Sequence, residues 1–345
     1  MSSLLLIPFR TRYFIYFGQG TVTEARTLDT RSGALGTVSD SPFSNTLTGY
    51  PDPTGRFMYS LEYLPPPNNV RSYTINAYTG TLAPTSSPLA SANNNPTYVD
   101  FHPNAQFVYV VNYSSLDVSA FVIDQNTGNL SKIGDFATSC ACGNLSQLRV
   151  TPNGKFLYVA GNGGPETITG FSIDQNTGAL ALIGNTSVGI TGMDAVLVDP
   201  TSSYVYAVSS GGTLPGYRID PNSGALTALS GSPFAGVANN FRGAMHPSGK
   251  FLYTVNILGA QLAWHSIAAD GSLSASTTLG FGTNLQYVTI DPTGAFGFIN
   301  DGTAPSIFQF SIDQATGAAS LVSGTPLTLG AVVGSVQVAR TRAWP

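Results

Sequence analysis

Short apolar segments alternate with polar turns along the whole chain, and each group of segments has the same internal order. An aromatic-x-aromatic segment such as Phe57-Met-Tyr59 follows a Pro-x-Gly sequence. Residues two apart lie on one face of a β-strand, and Pro-x-Gly has the chemistry of a tight turn. A further apolar segment ends in Ile-Asp and leads into the hairpin sequence Asp-x-x-Thr-Gly. Each group therefore predicts four short antiparallel strands joined by turns.

The hairpin sequence recurs seven times at a nearly constant interval. Its glycines are Gly33, Gly80, Gly128, Gly178, Gly224, Gly271 and Gly317. Successive copies lie 47, 48, 50, 46, 47 and 46 residues apart, which matches the repeat length of a four-stranded propeller blade. The pattern predicts an all-β protein, a seven-bladed β-propeller of four-stranded blades.

The first unit lacks a first strand of its own, and a matching segment stands at the other end of the chain. Residues 334–340 align with residues 144–150, so the C-terminal strand is expected to complete the N-terminal blade and close the ring. Closure removes exposed sheet edges. We predict one domain over residues 1–345, with blades at approximately 333–340 plus 12–43, 46–89, 95–137, 145–186, 192–232, 239–280 and 285–328.

Composition limits the partners of the protein. Only 9% of residues are charged and the net charge is −4, which argues against nucleic acid and against an anionic membrane surface. No apolar stretch approaches the roughly 20 residues of a membrane-spanning helix, and the apolar residues 4–7 are too short to predict an export signal. The low lysine content and the many Ser, Thr and Asn residues favour a periplasmic or extracellular location, with the cytoplasm as the alternative.

Metal and cofactor chemistry finds little support in the sequence. Cys140 and Cys142 are the only cysteines, and a metal site, a redox pair and two loop thiols with or without an incidental disulfide all remain open. With no histidine nearby they supply too few ligands for zinc. His102 and His246 each precede a turn proline and are predicted to cap that turn. With three histidines, two cysteines and no acidic cluster, and without a His-Glu-x-x-His, P-loop or dinucleotide-binding sequence, we predict no metal and no cofactor.

Two recurring sequences carry a resemblance to a known family. Residues 152–158 and 247–253 read Pro-(Asn/Ser)-Gly-Lys-Phe-Leu-Tyr, and residues 123–130 and 173–180 read Ile-Asp-Gln-Asn-Thr-Gly-(Asn/Ala)-Leu. Over essentially the whole chain this combination resembles the seven-bladed lactonase-like (YVTN-repeat) propellers, which include propeller-type 6-phosphogluconolactonases and carboxymuconate lactonizing enzymes. The resemblance implies hydrolysis or isomerisation of a small sugar-derived or carboxylated lactone in the central channel.

The resemblance also implies His, Glu and Arg side chains around the channel, on or just after the first strand of each blade. The position at which family enzymes often carry histidine holds no histidine in this chain, but Thr48, Tyr98, Gln147, Ala195, Arg242, Tyr287 and Ser335. The Asn-Glu pair that follows the second strand in the family reads Asn112-Tyr113 here. The catalytic pattern of the family is therefore absent or rearranged.

Polar positions in the first strands alternate with apolar ones, so their side chains are expected to converge on the channel axis. The catalytic candidates are Arg242, which can bind a carboxylate or an oxyanion, and Asp100 or Glu62, which can act as a base if burial raises the pKa. The substrate-binding candidates are Tyr98, Arg149, Gln147, Asp194 and Tyr287, with Asp194 as an alternative base. The same groups can instead pair with one another as contacts between blades.

The sequence leaves two functions open. One is a lactonase-family propeller that acts on a small lactone or sugar acid in the channel. The alternative is a non-catalytic secreted propeller that binds a protein or glycan through its loop-rich face. A channel that is open and lined by Tyr98, Arg242 and Tyr287 would favour the enzyme, whereas a channel filled by loops would favour the binding protein.

Overall fold

The structure of the chain is a computed structural model that describes residues 10–44, 46, 49–62, 68–85 and 89–343. Thr48 and the prolines at positions 65–67 lie outside the described residues. Every helix or strand in the described part of the chain is a β-strand. The strands form seven antiparallel blade sheets and one additional two-stranded sheet, and each blade sheet contacts the next around a ring. The chain is therefore a seven-bladed β-propeller, as the repeat predicts.

Each blade has four strands, here called A to D from the axis outward. Blade 1 contains Ser335–Ala343, Arg10–Gln19, Val22–Leu28 and Leu35–Thr37. Blade 2 contains Gly49–Pro51, Phe57–Glu62, Asn69–Ile75 and Leu82–Pro84. Blade 3 contains Pro96–Phe101, Phe107–Asn112, Asp117–Ile123 and Leu130–Ala137. Blade 4 contains Asn144–Val150, Phe156–Asn162, Thr167–Ile173 and Leu180–Ser187.

The remaining blades follow the same order. Blade 5 contains Met193–Val198, Tyr204–Ser209, Gly216–Ile219 and Leu226–Ala228. Blade 6 contains Asn240–Met245, Phe251–Asn256, Gln261–Ser266 and Thr277–Gly280, and blade 7 contains Leu285–Ile290, Phe296–Asp301, Ser306–Ile312 and Ala319–Leu321. Short additional strands at the blade edges are Phe43–Ser44, Ala90–Ser91, Thr213–Leu214, Phe234–Ala235 and Leu327–Thr328.

The ring is closed by pairing between the two ends of the chain. Ser335–Ala343 lies antiparallel to Arg10–Gln19, in register from Arg10 opposite Ala343 to Gly18 opposite Ser335. The C-terminal strand thus supplies strand A of blade 1, which confirms the closure predicted from the sequence. Because this strand hydrogen-bonds to the N-terminal strand, the inner edge of Arg10–Gln19 is not left unpaired.

The repeated aromatic residues of strand B join each blade to the next. In blade 3, the hydroxyl of Tyr109 donates a 3.0 Å hydrogen bond to the carbonyl oxygen of Gly178, in the hairpin of blade 4. Phe107 packs against the same glycine, and a Cβ at Gly178 would overlap its ring. Gly178 also has φ +72°, a conformation that glycine adopts without steric cost. The residues that create the sequence repeat are therefore contacts between blades.

The two turn histidines serve a similar structural role. Nε2 of His246 lies 3.0 Å from the carbonyl oxygen of Gly294 in blade 7, and the backbone N–H of Ser248 donates to Nδ1 at 3.1 Å. Burial lowers the pKa of His246, which favours the neutral ring that these two contacts require. His102 makes the equivalent contact with Gly154 of blade 4 at 3.1 Å. Both histidines bridge successive blades at their turns.

Candidate functional site: the central cavity

The A strands of all seven blades surround a cavity of about 780 Å³ on the axis of the ring. A volume of this size is typical of a small-molecule site. The wall combines charged, hydroxyl and amide side chains with aromatic rings. It includes Tyr50, Tyr98, Tyr113, Ser146, Gln147, Arg149, Asn162, Asp194, Phe241, Arg242, Tyr287, Ser335 and Gln337.

A β-bulge near the start of strand A determines which side chains reach the cavity. The pairing between strands A and B shifts register between Leu145 and Gln147 in blade 4, and between Met193 and Ala195 in blade 5. Blades 3, 6 and 7 contain the same irregularity. A bulge inserts one extra residue and changes the direction of its side chain. Asp194 is the inserted residue of blade 5 and lines the cavity, as do the inserted residues of blades 3, 4 and 6, which are Thr97, Ser146 and Phe241.

Arg242 is fixed against one side of the cavity by a carbonyl group and two aromatic rings. Its Nη1 donates to the carbonyl oxygen of Asp194 at 2.7 Å and lies 3.8 Å from the Oδ1 of the same residue. The guanidinium carbon is 4.4 Å from the ring centre of Phe241 and 5.5 Å from that of Tyr287. Arg242 is only 8% exposed, and its Nε has no hydrogen-bond partner among the described residues. The guanidinium is thus held on the cavity wall by contacts with blades 5, 6 and 7.

The carboxyl group of Asp194 has the proton affinity of a base that works near neutral pH. Burial raises the pKa of Asp194 from 3.8 to about 6; the positive charge of Arg242 opposes this rise and the negative charge of Glu166 adds to it. At pH 7 the carboxyl group is mostly ionised, yet it binds a proton more readily than an exposed aspartate. A group with these properties can take a proton from water and return it later.

Arg149 and the tyrosines around it form a second polar cluster on the wall. Nη1 of Arg149 donates to the hydroxyl oxygen of Tyr98, and the guanidinium carbon lies 4.9 Å from the centre of that ring. The ring of Tyr50 meets Tyr98 edge to face, with 5.2 Å between the centres. Burial raises the pKa of Tyr98, so its phenol stays protonated and can donate a hydrogen bond. This cluster can bind the hydroxyl groups or the anionic group of a ligand.

The cavity brings together most of the residues that the sequence singles out. Lining it are Tyr98, Gln147, Arg149, Asp194, Arg242 and Tyr287. The side-chain oxygen of Gln147 is already occupied, because it accepts a 3.1 Å hydrogen bond from the backbone N–H of Val196 in blade 5.

Asp100 and Glu62 do not belong to the cavity wall. Asp100 accepts hydrogen bonds from the backbone N–H groups of Val150 and Phe101, each at 2.9 Å, so its carboxylate joins blade 3 to blade 4. Glu62 accepts a 2.6 Å charge-assisted hydrogen bond from Nε of Arg71. Both carboxylates are committed to structural contacts, which leaves Asp194 as the candidate base on the wall.

The sequence pattern did not single out Phe241, Ser146 or Thr97 as cavity residues. Strict alternation from the turn proline places these positions on the face that points away from the axis. The bulge adds one residue and brings them to the cavity wall. No turn residue or charge in the sequence marks a bulge of this kind, so alternation alone could not reveal it.

Cys140 and Cys142 form a disulfide in the linker between blades 3 and 4, with their Cα atoms 5.2 Å apart. The described part of the chain contains no cluster of three or more His, Cys, Asp or Glu residues suited to a metal ion. Within the same residues, no helix is long and apolar enough to cross a membrane.

The fold and the cavity agree with the comparison to known protein families. The model of the family described as "Lactonase, 7-bladed beta-propeller" matches residues 48–239 and 193–331. The chain belongs to this family. This finding confirms the resemblance noted in the sequence.

Individual relatives define the activity less closely than the family. A 6-phosphogluconolactonase of Pectobacterium carotovorum is 33% identical over 73 residues, but the alignment spans only 20% of this chain and 22% of that protein. A putative 6-phosphogluconolactonase structure from Bacteroides fragilis has a TM-score of 0.80 at 20% identity and covers 98% of this chain and 99% of its own. A periplasmic gluconolactonase structure from Pseudomonas aeruginosa has a TM-score of 0.75 at 16% identity, over 95% of this chain and 99% of its own. At these identities the structural similarity shows the fold alone.

Proposed function

We propose that the protein is a lactonase that hydrolyses a small sugar-derived or carboxylated lactone in the central cavity. The observation that carries this proposal is the contact between Asp194 and Arg242 on the cavity wall. It places a base with a pKa of about 6 beside a guanidinium on the cavity wall. Lactone ring opening needs a proton acceptor for water and a donor for the developing oxyanion. The family and the names of its relatives support the same reaction.

In the proposed reaction, the ionised carboxylate of Asp194 removes a proton from water as the water oxygen attacks the lactone carbonyl carbon. Arg242 donates hydrogen bonds to the carbonyl oxygen, on which negative charge develops. The bond between the carbonyl carbon and the ring oxygen then breaks, and the leaving oxygen takes the proton back from Asp194. The products are the open hydroxy acid and an unchanged enzyme.

The cluster around Arg149 is proposed to orient the substrate. Arg149 and the protonated Tyr98 can bind hydroxyl groups or an anionic substituent of the lactone, and the ring of Tyr287 can stack against an apolar face of the sugar. Orientation at one side of the cavity would hold the carbonyl group near Asp194 and Arg242 at the other.

The experiment is a proton-release assay with aldonolactones, phosphorylated lactones and muconolactones. We expect Asp194→Asn to lower kcat on the accepted substrate by about 10²- to 10⁴-fold, and Arg242→Ala by about 10²- to 10³-fold. The matched control is Asp135→Asn, which removes a carboxylate on the outer strand of blade 3 beside Lys132. This control should keep the wild-type rate.

The outcome separates the two functions that the sequence leaves open. Turnover that survives Asp194→Asn would overturn the assignment of the base. A folded protein with no turnover on any lactone would overturn the lactonase proposal and favour a propeller that binds a protein or glycan through its loops.

The location proposed for the protein is periplasmic or extracellular. The Cys140–Cys142 disulfide supports it, because disulfides persist in oxidising compartments. Protein purified from its native cells with alkylation and without reductant should contain no free thiols. Free Cys140 and Cys142 in that preparation would instead indicate the cytoplasm.

A further inference from the structure

Glu166 is a buried acidic residue outside the cavity wall, and no part of the proposed reaction uses it directly. It directly precedes Thr167–Ile173, strand C of blade 4, and is 8% exposed. Its Oε1 accepts a 3.0 Å hydrogen bond from the backbone N–H of Gly192, and its own carbonyl oxygen accepts one of 3.0 Å from Val188. Glu166 therefore holds both ends of residues 188–192, the linker from blade 4 to blade 5.

This linker leads directly into the bulge that contains Asp194. Gly192 is held by Glu166, and the next residue, Met193, accepts a 3.0 Å hydrogen bond from Nδ2 of Asn162 through its carbonyl oxygen. The two residues before Asp194 are thus both fixed by side chains of blade 4. These contacts hold the backbone directly before the bulge, where the pairing between strands A and B is disrupted.

Glu166 takes part in none of the ion pairs found among the described residues. Its Oε2 is buried and has no hydrogen-bond partner among the described residues. The carboxylate is hydrogen-bonded to Gly192, two positions before Asp194, and its negative charge adds to the rise that burial causes in the pKa of Asp194.

Among the described residues, no other titratable group on the neighbouring strands raises the pKa of Asp194. Arg242 faces Asp194 from strand A of blade 6 and lowers its pKa, whereas Arg149, on strand A of blade 4, is bonded to Tyr98. The hydroxyl groups of the strand B tyrosines in blades 4 and 5 donate to turn carbonyls of the following blade. These tyrosines are Tyr158, Tyr204 and Tyr206.

We propose that Glu166 is a positioning residue for Asp194: its hydrogen bond to Gly192 fixes the linker that presents Asp194 to the cavity, and it places a buried carboxylate against the backbone two positions before Asp194. The inference rests on the proposed function only for the role of Asp194 in catalysis. The coupling between the two carboxyl groups is a property of the resting protein.

The test is therefore a titration of the whole chain, with ¹³C-carboxyl-labelled aspartate observed by NMR and the Asp194 signal assigned from its loss in Asp194→Asn. Glu166→Gln keeps the size of the side chain and an oxygen for the Gly192 N–H, but removes the charge. We expect it to lower the titration midpoint of Asp194 by about half a pH unit or more. Glu166→Asp keeps the charge with a shorter reach and should retain most of the wild-type midpoint. Asp135→Asn should leave the midpoint unchanged.

A purely structural role for Glu166 predicts no shift in the folded Glu166→Gln variant, and that result would overturn the inference. If Glu166→Gln does not fold, the titration midpoint of Asp194 in Glu166→Asp is used instead. Because this variant keeps the negative charge, a fall of about half a pH unit or more in that midpoint would overturn the inference. The lactone assay is scored separately. If Glu166→Gln shifts the Asp194 midpoint but the wild type hydrolyses no lactone, the inference stands and the proposed function is wrong. If lactone turnover requires Asp194 but the midpoint does not shift, the proposed function stands and the inference is wrong.

Discussion

The side-chain amide of Gln309 donates a 2.7 Å hydrogen bond to the carbonyl oxygen of Gly33, across the junction between blade 7 and blade 1. At the other six junctions the donor to the hairpin glycine is a tyrosine hydroxyl on strand B, as with Tyr109 and Gly178. Blade 7 has Phe298 at that position, which has no hydroxyl group. Gln309 lies opposite Phe298 on the adjacent strand and supplies the missing donor. The closing junction thus keeps the same acceptor with a different donor.

Removal of this donor should weaken the ring. We expect Gln309→Ala to lower the free energy of unfolding by about 1–3 kcal/mol, because the buried carbonyl group of Gly33 would lose its partner. Urea unfolding measures the effect, with Ser311→Ala as the control, since Ser311 lies on the same strand with an exposed hydroxyl bonded only to Ser320. Equal unfolding midpoints for the two variants would show that the Gln309 contact contributes nothing to closure.

Two glycines with positive φ separate the effect of backbone conformation from that of packing. Gly20 has φ +59° and open space where a Cβ would lie, whereas a Cβ at Gly128, with φ +76°, would overlap the ring of Phe57. Gly20→Ala should cost about 1–2 kcal/mol from its left-handed backbone alone. Gly128→Ala should cost about 1–3 kcal/mol more because Phe57 must move. Thermal and urea unfolding of both variants measure the difference, and a similar loss in both would mean that the aromatic contact is loose.

Asp301 makes part of the stability depend on pH. Burial alone would raise the pKa of this carboxyl group, but hydrogen bonds from Thr283 and Thr303 outweigh burial and lower the pKa from 3.8 to about 2. The folded state therefore favours the ionised form, and the resulting stability is present above pH 3.8 and lost as the pH falls through about 2. Asp301→Asn should destabilise the protein at pH 7, because an amide NH₂ group would face these donors.

The measurement is the difference in unfolding free energy between wild type and Asp301→Asn from pH 7 down to pH 2. We expect a constant difference near neutrality that shrinks below about pH 4. Asp135→Asn, on an exposed strand, serves as the control for removal of a carboxylate. A difference that stays constant over the whole range would show that Asp301 does not titrate differently in the folded and unfolded states.

Local sequence determined the blades and their joints. A Pro-x-Gly turn, an aromatic-x-aromatic strand and an Asp-x-x-Thr-Gly hairpin each specify backbone conformation over a few residues, so their repetition predicts the number of blades and the closure of the ring. The same alternation correctly placed Tyr98, Arg149 and Arg242 on the channel wall, because a regular strand points every second residue to the same side.

Tertiary structure alone decided which acidic residue stands on that wall and what surrounds it. Asp100 and Asp194 are both aspartates of an innermost strand. The carboxylate of Asp100 accepts hydrogen bonds from the backbone N–H groups of Phe101 and of Val150 in the next blade, whereas the bulge of blade 5 places Asp194 on the cavity wall. The pKa of Asp194 depends on Arg242 and Glu166, which are 48 and 28 positions away along the chain. Bulges, burial and charge pairs arise only when distant blades pack together. A local pattern predicts the strand, whereas the environment of its side chains is a property of the assembled ring.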